Sequence, residues 1–182
     1  MTRALGLLLV ATLGFAGCGD LSEDAPAVSD SGMEREIKGF TLTETQNGLL
    51  RWSLRAETAW RIPAQPEINL DDVRLDFHAE NGDIRSWLTA RRGVVQEDRE
   101  TFTARNDVLV ISLEGDTLRT DELTYDKATD RISGPGWVRI AKPDRVLTGE
   151  GYEAKPDLSD YTVRENVRVR LIDREGVLRD AP

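Results

Sequence analysis

From residue 37 onward, apolar and polar residues alternate with a period of two. Val73, Leu75 and Phe77 alternate with Arg74 and Asp76, Val138 and Ile140 flank Arg139, and Val167, Val169 and Leu171 alternate with Arg168 and Arg170. In an extended chain successive side chains point to opposite faces, so this pattern gives strands with one apolar and one charged face. No helix-period run of useful length occurs between residues 37 and 182, which predicts an all-β domain. Asn47-Gly48, Asn81-Gly82, Glu114-Gly115-Asp116 and Lys142-Pro143-Asp144 punctuate the strands. Asn-Gly and Gly-Asp pairs accept the positive φ of tight hairpins, so consecutive strands are expected to run up and down as neighbours.

A longer period lies over this alternation. Leu88, Leu118 and Leu147 are 30 and 29 residues apart, and Phe102, Ile132 and Tyr161 repeat those spacings. So do Ala104, Gly134 and Val163, then Val108, Val138 and Val167, then Val110, Ile140 and Val169. An earlier unit begins at Leu54 and carries Ile68 and Leu70 at the matching offsets; its next strand, Val73-Leu75-Phe77, slips by one residue, as a bulge would cause. One such unit of two to four short strands cannot bury its apolar face alone, whereas stacked units share a continuous interior. The expected product is an elongated, twisted antiparallel sheet folded over on itself. Its first and last strands are exposed edges, open to pairing with other chains.

The amino-terminal end follows another pattern. Arg3 precedes the uncharged run Ala4 to Phe15, which ends in Ala16-Gly17-Cys18. A helix over that run spans only about 18 Å at ~1.5 Å per residue, short of a ~30 Å hydrocarbon core, so residues 1–17 read as a secretory signal peptide. Small residues directly before a Cys resemble the bacterial lipobox, with Phe15 where Leu is usual. Cys18 is then the expected lipidation site, which also accounts for a single cysteine in an oxidising compartment; the alternative is a plain signal peptide with an incidental Cys. Residues 18–36 are expected to form a flexible tether, residues 37–172 the domain, and residues 173–182 a polar tail. The chain is acidic, with 33 Asp and Glu against 24 Lys and Arg. That balance argues against nucleic acid as a partner, because phosphate recognition needs clustered Lys and Arg.

Three stretches then carry a resemblance. They are Leu118 through Tyr125-Asp126, Arg131-Ile132-Ser133-Gly134-Pro135-Gly136, and Val138-Arg139-Ile140, preceded by Phe40 to Glu44 and Leu50 to Glu57. Over roughly residues 37–172 the chain resembles the periplasmic lipopolysaccharide-transport proteins, and within that group the LptC family. The resemblance implies an open β-jellyroll, a folded sheet whose apolar groove carries the acyl chains of lipopolysaccharide. It implies docking of the N-terminal edge (Phe40, Leu42) on the inner-membrane permease and ATPase complex. It implies pairing of the C-terminal edge (Val163, Val167, Leu171) with an LptA-like periplasmic protein. It also implies no catalytic activity. That family usually has an N-terminal transmembrane helix; here a lipobox-like segment stands in its place, so the expected location is the periplasmic face of the inner membrane, reached through a lipid anchor.

The candidate groove lining is Leu54, Leu70, Leu75, Phe77, Leu88, Phe102, Val110, Leu118, Ile132, Ile140, Leu147, Tyr161 and Val169. Aliphatic side chains hold acyl chains at about 0.8 kcal/mol per buried methylene without directional bonds that would arrest movement. The same residues would equally fill a closed core. Ala56, Ala90, Ala104 and Gly134 are expected to face inward, leaving room for acyl chains or relieving crowding at a bend. Trp52, Trp60, Trp87 and Trp137 suit groove mouths or edges, with core packing expected for at least two. His78 is the only histidine and Cys18 the only cysteine. No metal, cofactor or nucleophile–base constellation is therefore expected, and His78 reads as a solvated strand residue. The carboxylate pairs Asp71–Asp72, Asp121–Glu122 and Glu114–Asp116 are expected to face water. The readings in competition are a lipid conduit, a protein-binding scaffold that conducts no lipid, and a carbohydrate-active enzyme.

Overall fold

The computed structural model describes residues 35–62, 65–172 and 178–180. The expected leader, Cys18 and most of the expected tether lie outside the described residues. Ten strands follow in order: β1 (Arg35–Gln46), β2 (Leu49–Arg61), β3 (Glu67–His78), β4 (Ile84–Gln96), β5 (Thr101–Ser112), β6 (Thr117–Asp126), β7 (Arg131–Lys142), β8 (Arg145–Ala154), β9 (Tyr161–Ile172) and β10 (Leu178–Asp180). One 3₁₀ turn, Glu97–Arg99, joins β4 to β5. All ten strands form a single antiparallel sheet in chain order, so every neighbour in space is a neighbour in sequence. The turns are those the punctuation predicts: Asn47 and Gly48 both have positive φ between β1 and β2, and Gly82 and Gly115 do so in the next two upper turns.

Most strands run 10 to 13 residues, longer than the short strands expected. The repeat of about 30 residues is therefore one hairpin of two long, bent strands. The bend has a local cause in each of the nine long strands. Pairing lapses at Gly39 opposite Glu57, at Glu57 opposite Asp72 and at Asp72 opposite Arg91. Register then shifts between Thr89 and Arg92, Arg105 and Val108, Thr120 and Thr124, Gly134 and Trp137, and Thr148 and Glu150. Left-handed backbone at Gly39, Asp72, Asn106, Asp107, Gly151 and Asn166 falls on the same line. Gly, Asn and Asp tolerate that conformation best, and a bulge bends and twists the strand that carries it. A crease thus crosses the sheet perpendicular to its strands, and the sheet doubles over along it. The slip at Val73-Leu75-Phe77 is this bulge, at Asp72.

Doubling over brings the apolar faces of the two halves together. One row of directly paired residues crosses the whole upper half: Leu42, Leu54, Leu75, Leu88, Val110, Leu118, Ile140, Leu147 and Val169. A row in the lower half runs Ile68, Val95, Phe102, Tyr125, Ile132, Ala154 and Tyr161. Phe77 meets Tyr125 edge to face across the fold, with ring centroids 4.9 Å apart. Complete burial of one such Leu or Phe contributes about 1.5–3 kcal/mol, which makes these rows the main source of cohesion.

Two boundaries differ from the sequence reading. β1 begins at Arg35, inside the expected tether. The expected polar tail contains β10, which pairs Leu178, Arg179 and Asp180 with Ile172, Leu171 and Arg170 of β9. The final edge is therefore covered at one end, because residues 178–180 follow β9 closely enough in sequence to return along it.

Candidate apolar groove and its seam

All thirteen groove candidates lie on the inward face. Leu54, Leu70, Leu75, Phe77, Leu88, Phe102, Val110, Leu118, Ile132 and Ile140 are buried. Leu147, Tyr161 and Val169 are half-buried, because they belong to the last two long strands and have fewer neighbours. Ala56, Ala90 and Ala104 are buried among them. Gly134 settles its own ambiguity: a Cβ there would stand 2.6 Å from the Tyr152 ring and 2.7 Å from the Glu122 carbonyl. Its smallness relieves crowding and leaves no free space. Of the edge candidates, Phe40, Leu42 and Val163 are half-buried against the core, whereas Val167 and Leu171 are 47% and 46% exposed.

The interior is mostly filled by its own side chains. A cavity of about 200 Å³ opens between the upper ends of β1 and β2 and the lower ends of β4, β5 and β6. Leu42, Trp52, Leu54, Leu75, Val95, Phe102 and Tyr125 form its apolar wall, with Lys127, Glu44, Glu97 and Glu100 at the rim. A typical ligand pocket holds about 300–1,000 Å³.

Opposite the crease, strand ends of the upper half approach those of the lower half along a seam tied by polar contacts. Lys127, in the β6–β7 turn, pairs with Glu44 of β1 at 2.5 Å and lies 5.6 Å from the Trp52 ring centroid. Arg85 of β4 donates to both carboxylate oxygens of Asp130 at 2.9 and 2.8 Å and lies 3.7 Å from Asp157. Tyr125 donates its hydroxyl to Asp130 at 3.1 Å. Lys142, at the end of β7, is ion-paired with Asp116, donates to the Leu158 carbonyl at 3.3 Å and stands 5.5 Å from the Tyr161 ring centroid. Burial, the Asp130 charge and the hydrogen bond to it push the Tyr125 hydroxyl well above its ordinary range, so it stays protonated and remains a donor. At Asp157 partial burial acts to raise the carboxyl. The Ser159 hydroxyl and N–H, Arg85 and Lys155 outweigh it and hold the group below its ordinary value.

Several polar residues lie elsewhere than the alternation predicts. Asp116 is 8% exposed, because the β5–β6 turn folds under Lys142. Asp76 is 1% exposed on the outer face, covered by Arg55 and Arg74, both ion-paired to it, while Arg74 also lies over Trp87. Long arginine stems bury a charge that the pattern assigns to water. His78 is buried and not solvated: a register shift after Phe77 turns it inward, and its Nδ1–H donates to the Gly82 carbonyl at 3.0 Å. Only Trp52 of the four tryptophans is buried; Trp60 and Trp87 are half-buried and Trp137 is 47% exposed. Those three lie at outward or crease positions, so core packing claims one where two were expected. Among the described residues no group of His, Cys, Asp and Glu has the arrangement of a metal site. The seam residues Glu44, Arg85, Lys127, Asp130, Lys142 and Asp157 carry no sequence signal of their own, since each is a charge in or beside a turn.

A model of the family described as "Lipopolysaccharide-assembly, LptC-related" matches residues 4–172. Curated protein sequences include no match. Among solved structures, the chain is similar to LptH, described as the LptA-homologous periplasmic component of the conserved lipopolysaccharide transport device from Pseudomonas aeruginosa. The match has a TM-score of 0.51 and 11% identity, and covers 65% of this chain and 92% of that one. At that identity the likeness concerns the fold: an open antiparallel β-jellyroll.

Proposed function

The chain belongs to the lipopolysaccharide-assembly, LptC-related family, and from that premise we propose that it carries lipopolysaccharide along its folded sheet from one edge to the other. In this reading it receives the lipid from an inner-membrane permease and ATPase complex docked on β1. It passes the lipid to an LptA-like protein docked on the part of β9 that β10 does not pair with. It works at the periplasmic face of the inner membrane, held there by acylated Cys18, and performs no chemistry of its own. The observation that supports it best is the unbroken apolar row from Leu42 to Val169, one residue per strand. Such a row offers an acyl chain the same environment at each step, about 4.8 Å apart, with no directional bond to break.

The filled interior favours a second reading, a scaffold that adds strands to partners at its edges and conducts no lipid. Photocrosslinking residues at Phe102, Ile140 and half-buried Leu147, with Asp72 and Arg168 as outward controls, separate the two in cells. Conduction predicts lipopolysaccharide adducts at the first three and none at the controls. Adducts at the controls alone, or at none of the five, exclude it.

A further inference from the structure

The cavity below β1 and β2 is spanned by one ion pair whose two members are fixed very differently. The Lys127 backbone is anchored: its N–H donates to the Glu100 carbonyl at 3.1 Å, and Asp126 accepts from the two N–H groups that follow, those of Ala128 and Thr129. Among the described residues its side chain is held only by Glu44 and the face of Trp52. Both side chains remain about a third exposed, Lys127 at 27% and Glu44 at 33%. A lysine ammonium is a point charge that accepts any anion at its position. Below it, Trp52 is 7% exposed, and its indole N–H is buried without an acceptor among the described residues. An apolar cavity, a cation on its rim and an unused donor in its wall together fit an amphiphile with an acyl tail and an anionic head.

Resting on the proposed lipid transport, we propose that Lys127 recognises the phosphate of an entering lipid by exchanging it for Glu44. The rim explains why this is an exchange and not a simple capture. Glu44, Glu97 and Glu100 share the cavity lining with Lys127, its one cation among the described residues, and Glu97 is already paired with Arg61 at 2.8 Å. The portal is therefore negative overall. Only a lipid whose phosphate reaches Lys127 offsets that repulsion, and the displaced Glu44 carboxylate, already partly in water, competes to take the lysine back. Recognition and release thus use the same pair, as a conduit requires.

The test measures retention of two purified probes by the full-length protein: phosphorylated lipid A, and lipid A of the same acylation stripped of phosphate. Exchange predicts opposite effects of the two partners. Lys127→Gln lowers affinity for the phosphorylated probe about tenfold, in the range of one charge-assisted hydrogen bond. Glu44→Gln raises it by about threefold, a share of that same term, because the lysine loses its competitor. Lys127→Arg restores most of the loss, and the stripped probe responds to none of them. If both substitutions move both probes in the same direction, the pair is a structural strap and the inference falls while lipid transport stands. If the unsubstituted protein retains neither probe, the transport reading fails and takes this inference with it.

Discussion

Near β1 and β2 the folded sheet is closed across its mouth by Lys127 on Glu44, with both side chains partly in water and a cavity of about 200 Å³ beneath them. Toward β7 and β8 the same mouth is closed by Lys142 on Asp116, whose side chains are only 17% and 11% exposed, and by Arg85 shared between Asp130 and Asp157. The row that lines the mouth changes character along the way. It begins with Trp52 and Phe77 and continues through Ser86 and Ser112, all directly paired or in line. A pair about a third exposed is partly screened and contributes little, whereas a buried pair is costly to break because its survivor keeps an unpaired charge. The two ends therefore differ in what opening them costs. Opening the β1–β2 end should cost less than breaking the Lys142–Asp116 closure.

The largest test of that contrast is Lys142→Met. It leaves the Asp116 carboxylate buried beside Ser112 without its cation, and should cost about 3–5 kcal/mol in urea unfolding. Adding Asp116→Leu should recover most of the loss, since an apolar pair replaces an ionic one. A cost under about 1 kcal/mol would make the two ends equivalent. Packing gives the next test. Gly134→Ala, pressed against Tyr152 and the Glu122 carbonyl, should cost about 1–3 kcal/mol, while Gly136→Ala, with nothing within 4 Å of its Cβ, should stay within about 0.5 kcal/mol. Equal effects would mean that the C-terminal half has slack not seen in its packing.

The fold was legible because its information is periodic. Alternation marks the inward face, the repeat of about 30 residues marks hairpins, and Asn-Gly marks turns; the strand order then follows from local pairing alone. The crease was half legible. The slip before Val73 exposes one bulge, but Asn106-Asp107 and Asn166 sit inside runs whose apolar spacing conceals theirs. The seam was not legible. Arg85 meets Asp130 and Asp157 from 45 and 72 positions away, and that meeting exists only once the sheet has doubled over. His78, Asp76 and Asp116 defeat the pattern for a related reason. Alternation tells which face a residue is on, but not whether arginine stems, a turn or an opposing strand end will cover that face.

Two smaller predictions probe the ties themselves. Asp157 is held below its ordinary value of 3.8, so the folded chain binds its proton less readily than the unfolded chain. Its contribution is therefore complete above about pH 4 and disappears as pH falls through the lowered native value. Unfolding midpoints of the unsubstituted protein and Asp157→Asn should differ at neutral pH and converge as pH falls through the lowered native value; a gap that widens in acid would reverse the sign of this tie. The smallest effect belongs to Lys127→Gln, which should change stability by less than about 1 kcal/mol at any salt concentration. That smallness is informative when set beside Lys142→Met. If Lys127 contributes almost nothing to folding yet changes lipid retention tenfold, the residue is there for what enters the cavity. If instead its loss destabilises the sheet as much as the loss of Lys142, both ends of the mouth are structural closures, and entry must occur along the exposed edge of β1.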